Sequence, residues 1–231
     1  MIKKWPYKMI DLTHTLSSHI PTWSGLCGFE QEITLDYQDC DTEVKFRVQK
    51  IHLHAGAGTH IDAPLHCFSA GKGVSDLDLN DLIAPCIMID VSLKAKVGYS
   101  ISIEDLKAFE EAHGVIPEHS FVIFYTGWDR FWSEPTAYQG NYNYPSMSIA
   151  VAQVLLERGV VGIGIDTLSP DKPEEGFPVH RLMLGAGKYI VENIANANKL
   201  PPCSSYAMVM PIKIQGGTEA PIRLIALIEE K

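Results

Sequence analysis

No apolar run in this 231-residue sequence approaches the roughly 20 residues that would cross a bilayer, and no block of lysine or arginine is present. A membrane span and a nucleic-acid surface are therefore not expected. The balance of 28 acidic against 19 basic residues, a formal charge of −9, also repels phosphate backbones and anionic lipid. Cysteine is sparse and carries no pattern: Cys27, Cys40, Cys67, Cys86 and Cys203 are odd in number and widely spaced, with no C-x-x-C pair. That argues against both a disulfide framework and a thiolate zinc site, and Cys67 reads as a small buried apolar residue. The sequence has no G-x-S-x-G elbow, and its G-x-G pieces at Gly162 and Gly185 lack the full phosphate-binding fingerprint. A serine hydrolase and a nucleotide enzyme are disfavoured on that ground. The opening MIKKWPYKMIDL has no long apolar stretch, so cytoplasm is the expected location. No repeat, low-complexity tract or linker interrupts the chain, and one domain spanning 1–231 is expected.

What remains is the composition of a globular protein, 46% hydrophobic and 20% charged. Short apolar runs at 86–91, 121–125, 160–165, 207–210 and 222–228 are bounded by Gly, Pro or polar residues and predict buried strands. Between them, residues 102–113 place Ile103, Leu106 and Phe109 at three-residue spacing, behind a Ser102/Asp105 pair that resembles a capping box. Residues 148–158 gather Ala152, Leu155 and Leu156 on one helical face. An α/β architecture with a mixed β-sheet follows. The stretch 133–145, SEPTAYQGNYNYP, reads as a long loop.

The chemistry concentrates in residues 52–66, HLHAGAGTHIDAPLH, which hold four of the nine histidines and an aspartate without a lysine or arginine. In an extended segment, side chains at i and i+2 share a face, so His60 and Asp62 can present an imidazole and a carboxylate to one ion. Gly56 and Gly58 allow a tight turn before them, and Pro64 redirects the chain and leaves His66 nearby. Histidine plus aspartate without thiolate suits Zn²⁺ or Mn²⁺. The other reading is a glycine-rich strand end whose histidines are hydrogen-bonded and inert. His14 and His19 read as structural or surface residues.

These residues also carry a resemblance. GTHIDAPLH (58–66) resembles the Gly-Thr-His-x-Asp-x-Pro-x-His signature of the metal-dependent cyclase family, which includes bacterial kynurenine formamidases and isatin hydrolases. DLTHTLSSHIPTWSG (11–25), YTGWDRFW (125–132), GIDTLSPD (164–171) and FPVHRLMLGAGKYIVENIANANKLP (177–201) resemble further family segments, so the likeness runs over nearly the whole chain. It implies a mixed sheet or barrel-like core flanked by helices, of the swivelling β/β/α type, and a homodimer. It also implies a divalent metal centre, two ions per chain, zinc first and manganese second, with His60, Asp62, His180 and Glu192 as ligands and His66 as the catalytic histidine. Family members commonly carry another ligand histidine four residues before the signature histidine, where this sequence has Gly56. His54 is expected to take that role through a bulge in HAGAGTH; the alternative is a site with one ligand fewer.

On the residues alone, His180 reads as a loop residue behind Pro178, and Glu192 as part of a short helix through Ile190, Val191 and Ile194. The implied activity is amide hydrolysis by metal-activated water, with His66 moving a proton to the leaving nitrogen. The resemblance puts an aryl formamide such as N-formylkynurenine first, as in tryptophan catabolism. A lactam such as isatin, or a metal- or ligand-binding role without turnover, is the alternative. Trp23 and Trp128 are read as aromatic walls for such a small-molecule substrate, against a plain core-packing role.

Overall fold

Residues 6–230 are described in the computed structural model of the chain. In chain order the strands are β1 (Tyr7–Asp11), β2 (Phe29–Leu35), β3 (Val48–Leu53), β4 (His60–Asp62), β5 (Ile83–Asp90), β6 (Ser100–Ile101), β7 (Phe121–Tyr125), β8 (Ser146–Met147), β9 (Gly162–Ile165), β10 (Tyr189–Glu192), β11 (Ser205–Pro211) and β12 (Glu219–Glu229). The helices are α1 (Leu79–Leu82), α2 (Ile103–His113), α3 (Pro135–Gln139), α4 (Ile149–Glu157) and α5 (Pro178–Gly185).

The large sheet runs β1-β12-β11-β5-β7-β9-β10-β4, and β4 pairs back onto β12, so the seven strands from β12 to β4 close a mixed barrel. Strands β5, β7, β9 and β10 are parallel and the remaining pairings antiparallel. The parallel strands read as unbroken apolar runs because both of their faces are covered. Cys86, Met88, Phe121, Ile123 and Val191 turn into the barrel, whereas the alternating Ile87, Ile89, Val122, Phe124 and Ile190 pack against α2, α4 and α5. Strand β9 supplies glycine at its inward positions, since a methyl group at Gly164 would stand 2.5 Å from Ile194 Cδ1 and 2.8 Å from Phe121 Cζ. Helix α2 begins at the expected cap, with the Ser102 and Asp105 side chains each accepting from the other's backbone N–H.

Three expectations change. Glu192 ends a strand, because Tyr189, Ile190 and Val191 are aromatic or β-branched and fit between β9 and β4. His180 lies in α5, which Pro178 starts at the first helical turn, where its missing N–H costs nothing. The stretch 133–145 contains α3 and the short 3-10 helix Gly140–Tyr142, with Pro135 opening α3 and Gly140 closing it in the left-handed region.

The barrel register positions the polar residues. Strand β4 lies between β10 and β12, with Glu192 opposite His60 on one side and Glu219 opposite Asp62 on the other. Directly opposed residues share a face, so the four side chains gather on one side of three adjoining strands while Ile61 between them enters the barrel core. Strands β2 and β3 form a separate two-stranded arm. Replacing Gly164 with Ala is expected to overpack the barrel and lower unfolding free energy by about 1–3 kcal/mol, measured by chemical denaturation.

Candidate metal centre

Both imidazoles at the gathering point are locked by their inner nitrogens. His60 Nδ1 lies 2.9 Å from the Gly58 carbonyl, which can only accept, so the proton is on Nδ1 and Nε2 faces the carboxylates. His180 Nδ1 lies 2.8 Å from Asp171 Oδ2, and the same carboxylate accepts from the backbone N–H groups of Val179 and His180. A metal-ligating histidine is oriented in this way, through a partner on the ring nitrogen that does not bind. Gly58 makes the close approach with φ near +67°, where a side chain would meet Leu16 at 2.5 Å.

His60 Nε2 is 3.5 Å from Asp62 Oδ1 and 3.4 Å from Glu192 Oε2; His180 Nε2 is 3.5 Å from Asp62 Oδ2 and 3.4 Å from Glu192 Oε1. These separations exceed good N–H···O bonds. Asp62 Oδ1 and Glu192 Oε1 are buried without a hydrogen-bond partner. Four buried donor groups that converge without satisfying one another fit a divalent cation placed among them. Among the described residues, two sets have ligand atoms within 4.8 Å of one another: His60, Asp62 and Glu219, and Asp62, His180 and Glu192. Asp62 belongs to both.

The electrostatics agree. Burial opposes charge on His60, yet Asp62 and Glu192 outweigh it and raise its pKa to about 9. His180 is likewise raised well above its ordinary value against burial, by Asp171, Asp62 and Glu192. Burial pushes the Glu192 carboxyl up, but the two imidazoles bring it below its ordinary value. Protons on the histidines thus supply the positive charge that this pair of carboxylates needs.

His66 follows Pro64 on the 3-10 helix Pro64–His66, with 34% of its side chain exposed. Its ring centroid is 6.1 Å from that of His180, and its Nδ1 is 3.2 Å from Glu219 Oε2. That contact raises the His66 pKa and lowers that of Glu219. A cavity of about 650 Å³ opens above the cluster, with Trp23, Phe68, Phe177 and Arg181 on its walls. Phe177 holds a left-handed conformation, φ 56°, immediately before Pro178.

Residues 10–172 match the Cyclase family model. The chain belongs to the cyclase family. An isatin hydrolase of Roseibium aggregatum is 31% identical over 188 residues, 74% of this chain and 71% of that one. A kynurenine formamidase of Geobacillus thermodenitrificans is 29% identical over 224 residues, covering 96% and 97% of the two chains. Isatin hydrolase A from Ralstonia solanacearum superposes with a TM-score of 0.88 at 28% identity, covering 96% of this chain and 92% of that one. A structure described as a "potential metal-dependent hydrolase with cyclase activity" gives 0.76 at 26% identity, covering 97% and 100%. This cyclase-family chain is a metal-dependent hydrolase.

Within the cyclase-family segments, structure separates cavity from scaffold. Trp23, 39% exposed, lines the cavity. Trp128 does not: it is 3% exposed, packed with Tyr138, Tyr144 and Leu168, and its indole N–H donates to the Tyr138 carbonyl. Its backbone N–H and the Thr126 N–H and hydroxyl bind the Asp166 carboxylate. The Thr-Gly-Trp and Gly-Ile-Asp-Thr segments are therefore one buried brace.

His54 is also apart from the cluster. The Ala57 N–H donates to the His54 carbonyl, so residues 54–57 make a tight turn instead of a bulge, leaving His54 exposed at the end of β3. There it lines a different groove with Cys27, Ile212 and Ile214. Cys67 is exposed at the cavity. His14 is structural, stacked on Trp132 at 3.8 Å, and burial lowers its pKa to about 4. Glu219 and Asp171 escaped the sequence reading. The first carries no local metal signature, and the second stood at the end of a quoted segment without an assigned role.

Two outcomes follow. In metal-stripped protein, protonated His60 stabilises the fold below pH 6.5, and that contribution is lost as pH rises through about 9. Denaturation at pH 6.5 and pH 10 should differ by a term on the order of 3 kcal/mol, and bound metal should flatten the difference. Asp171→Asn should weaken metal affinity about 10- to 100-fold, read by calorimetric titration.

Proposed function

We propose that this chain is an amidohydrolase that cleaves the C–N bond of an aryl amide, with N-formylkynurenine first among its substrates. The observation that carries the proposal is His66: an imidazole beside both candidate ligand sets but a member of neither, held by Glu219 at 3.2 Å and placed at the edge of an aromatic-walled cavity. A divalent ion, when bound, would polarise the carbonyl and bring the pKa of water down to about 7. His60, Asp62, His180 and Glu192 are the residues proposed to hold it, with two ions per chain supported by the two sets that share Asp62. Zn²⁺ or Mn²⁺ suits these nitrogen and oxygen donors.

His66 takes the proton of the attacking water on Nε2 and returns it to the leaving nitrogen, while Glu219 holds Nδ1 and stabilises the imidazolium. Trp23 and Phe177, with ring centroids 5.8 Å apart, offer faces to an aromatic ring. Arg181 on the same wall suits a substrate carboxylate. An aniline nitrogen leaves more readily than an alkylamine because its lone pair delocalises into the ring.

Opening of a lactam such as isatin is the second reading, favoured by the TM-score of 0.88 to an isatin hydrolase. Both substrates present a carbonyl bonded to an aryl nitrogen, so the same residues serve either.

A homodimer and a cytoplasmic location complete the proposal. The arm of β2 and β3 exposes Ile33, Ile51 and Leu53 on one face, an apolar surface that a second copy would cover. All five cysteines are free, which suits a reducing compartment. Among the described residues no helix is long and apolar enough to cross a membrane.

Metal-loaded protein should hydrolyse N-formylkynurenine or isatin in a direct turnover assay, and activity on neither would overturn the substrate class. His66→Ala should cut kcat by about 10²- to 10⁴-fold with metal content unchanged; loss of metal would instead make His66 a ligand.

A further inference from the structure

Gly56 stands four residues before His60, and its backbone is outside the left-handed region, so a side chain there would be conformationally allowed. A methyl group built on Gly56 would point into the centre, 3.3 Å from His60 Nε2 and 2.6 Å from Glu219 Oε1. The space that a residue-56 side chain would enter is thus already occupied, by a carboxylate arriving from β12. Asp62 Oδ1, 3.5 Å from His60 Nε2, is buried and has no hydrogen-bond partner.

We infer that Glu219 is a metal ligand, completing the set with His60 and Asp62 from the opposite strand in place of a side chain at position 56. The inference rests on the metal-dependent reading of this centre. The two oxygens of the Glu219 carboxylate face different neighbours. Oε1 faces Gly56 and His60, while Oε2 is 3.2 Å from His66 Nδ1 and accepts from the Thr218 hydroxyl at 3.2 Å. Oε1 is the oxygen that would meet an ion while Oε2 holds the proton-transfer histidine, so metal occupancy and His66 orientation would be tied through one side chain. Register fixes the placement: Glu219 pairs with Asp62 across β12 and β4, and Pro221 with His60. The substitution exchanges a neutral nitrogen donor for an anionic oxygen donor, which moves the set toward the harder Mn²⁺.

Metal-stripped wild type, Glu219→Gln, His66→Ala and the double variant Gly56→His/Glu219→Ala are titrated with Mn²⁺ and with Zn²⁺ by calorimetry, with circular dichroism confirming the fold of each. Glu219→Gln keeps the shape and the hydrogen-bonding capacity toward His66 but loses the anionic donor. It should bind Mn²⁺ at least tenfold more weakly than wild type and more weakly than His66→Ala, which keeps the anionic donor. The double variant should recover affinity and favour Zn²⁺ over Mn²⁺ more than wild type does. Wild-type affinity in Glu219→Gln would overturn the assignment and leave Glu219 as a positioning residue for His66. Failure of wild type itself to bind either ion would instead sink the metal-dependent reading and this inference with it.

Discussion

Two carboxylates buried side by side set the terms for the rest of this molecule. Asp62 and Glu192 have side chains only 2% and 8% exposed, and each has an oxygen without a hydrogen-bond partner. Moving an ionised carboxylate out of water costs several kcal/mol even after relaxation. The pair is tolerable only with compensating positive charge between its members. The raised pKa values of His60 and His180 favour protons there in the metal-free chain, and a divalent ion would bind the two imidazoles neutral and bring two positive charges in place of those protons. The closed barrel makes the arrangement stiff, because the register of β10, β4 and β12 fixes both acids and cannot slip by one residue without moving Ile61 out of the core.

The same constraint explains the polar scaffold beneath the centre. Asp166 gathers the Thr126 and Trp128 donors, and Tyr138 Oη lies 2.9 Å from the Asp166 carbonyl and 3.0 Å from Asn193 Oδ1. Asn193 Nδ2 donates to the Gly58 carbonyl, the acceptor that holds His60 Nδ1. A continuous chain of hydrogen bonds therefore connects the buried tryptophan turn to the inner nitrogen of His60, Nδ1. Burial raises the Asp166 pKa to about 6 although Thr126 and Trp128 pull it down, so the brace itself stores an electrostatic cost that its donors partly offset.

Legibility in the sequence followed the range of each interaction. The i, i+2 pair His60 and Asp62, the capped helix at Ser102 and the apolar strands are local patterns, and the chain folds as they predict. Glu192 in a strand and His180 in a helix depended on tertiary pairing and on a proline at a helix start, which local periodicity weighs poorly. Trp128 is an aromatic beside a loop either way; only packing against Tyr138 and Leu168 decides its role. Glu219 was invisible for the strongest reason: it lies 157 residues beyond Asp62 and meets it only because β12 closes the barrel onto β4.

Barrel closure also changes what the chain's acidity means. The formal charge of −9 counts every acid in the chain, buried ones included, whereas the proposed centre sets two divalent ions against Asp62, Glu192 and Glu219. Three carboxylates leave a single net positive charge there, one less than a set with a third histidine would leave. Arg181 on the cavity wall and a protonated His66 would add to it. A tetrahedral oxyanion formed from an amide would then meet a cationic pocket in a low-dielectric, aromatic-walled space, where each charge acts more strongly than it would in water. By drawing one of its acids from the opposite strand, the site would trade some of that electrophilic strength for a fixed His66, so that the group that delivers the proton is held by the same side chain that helps hold the ion.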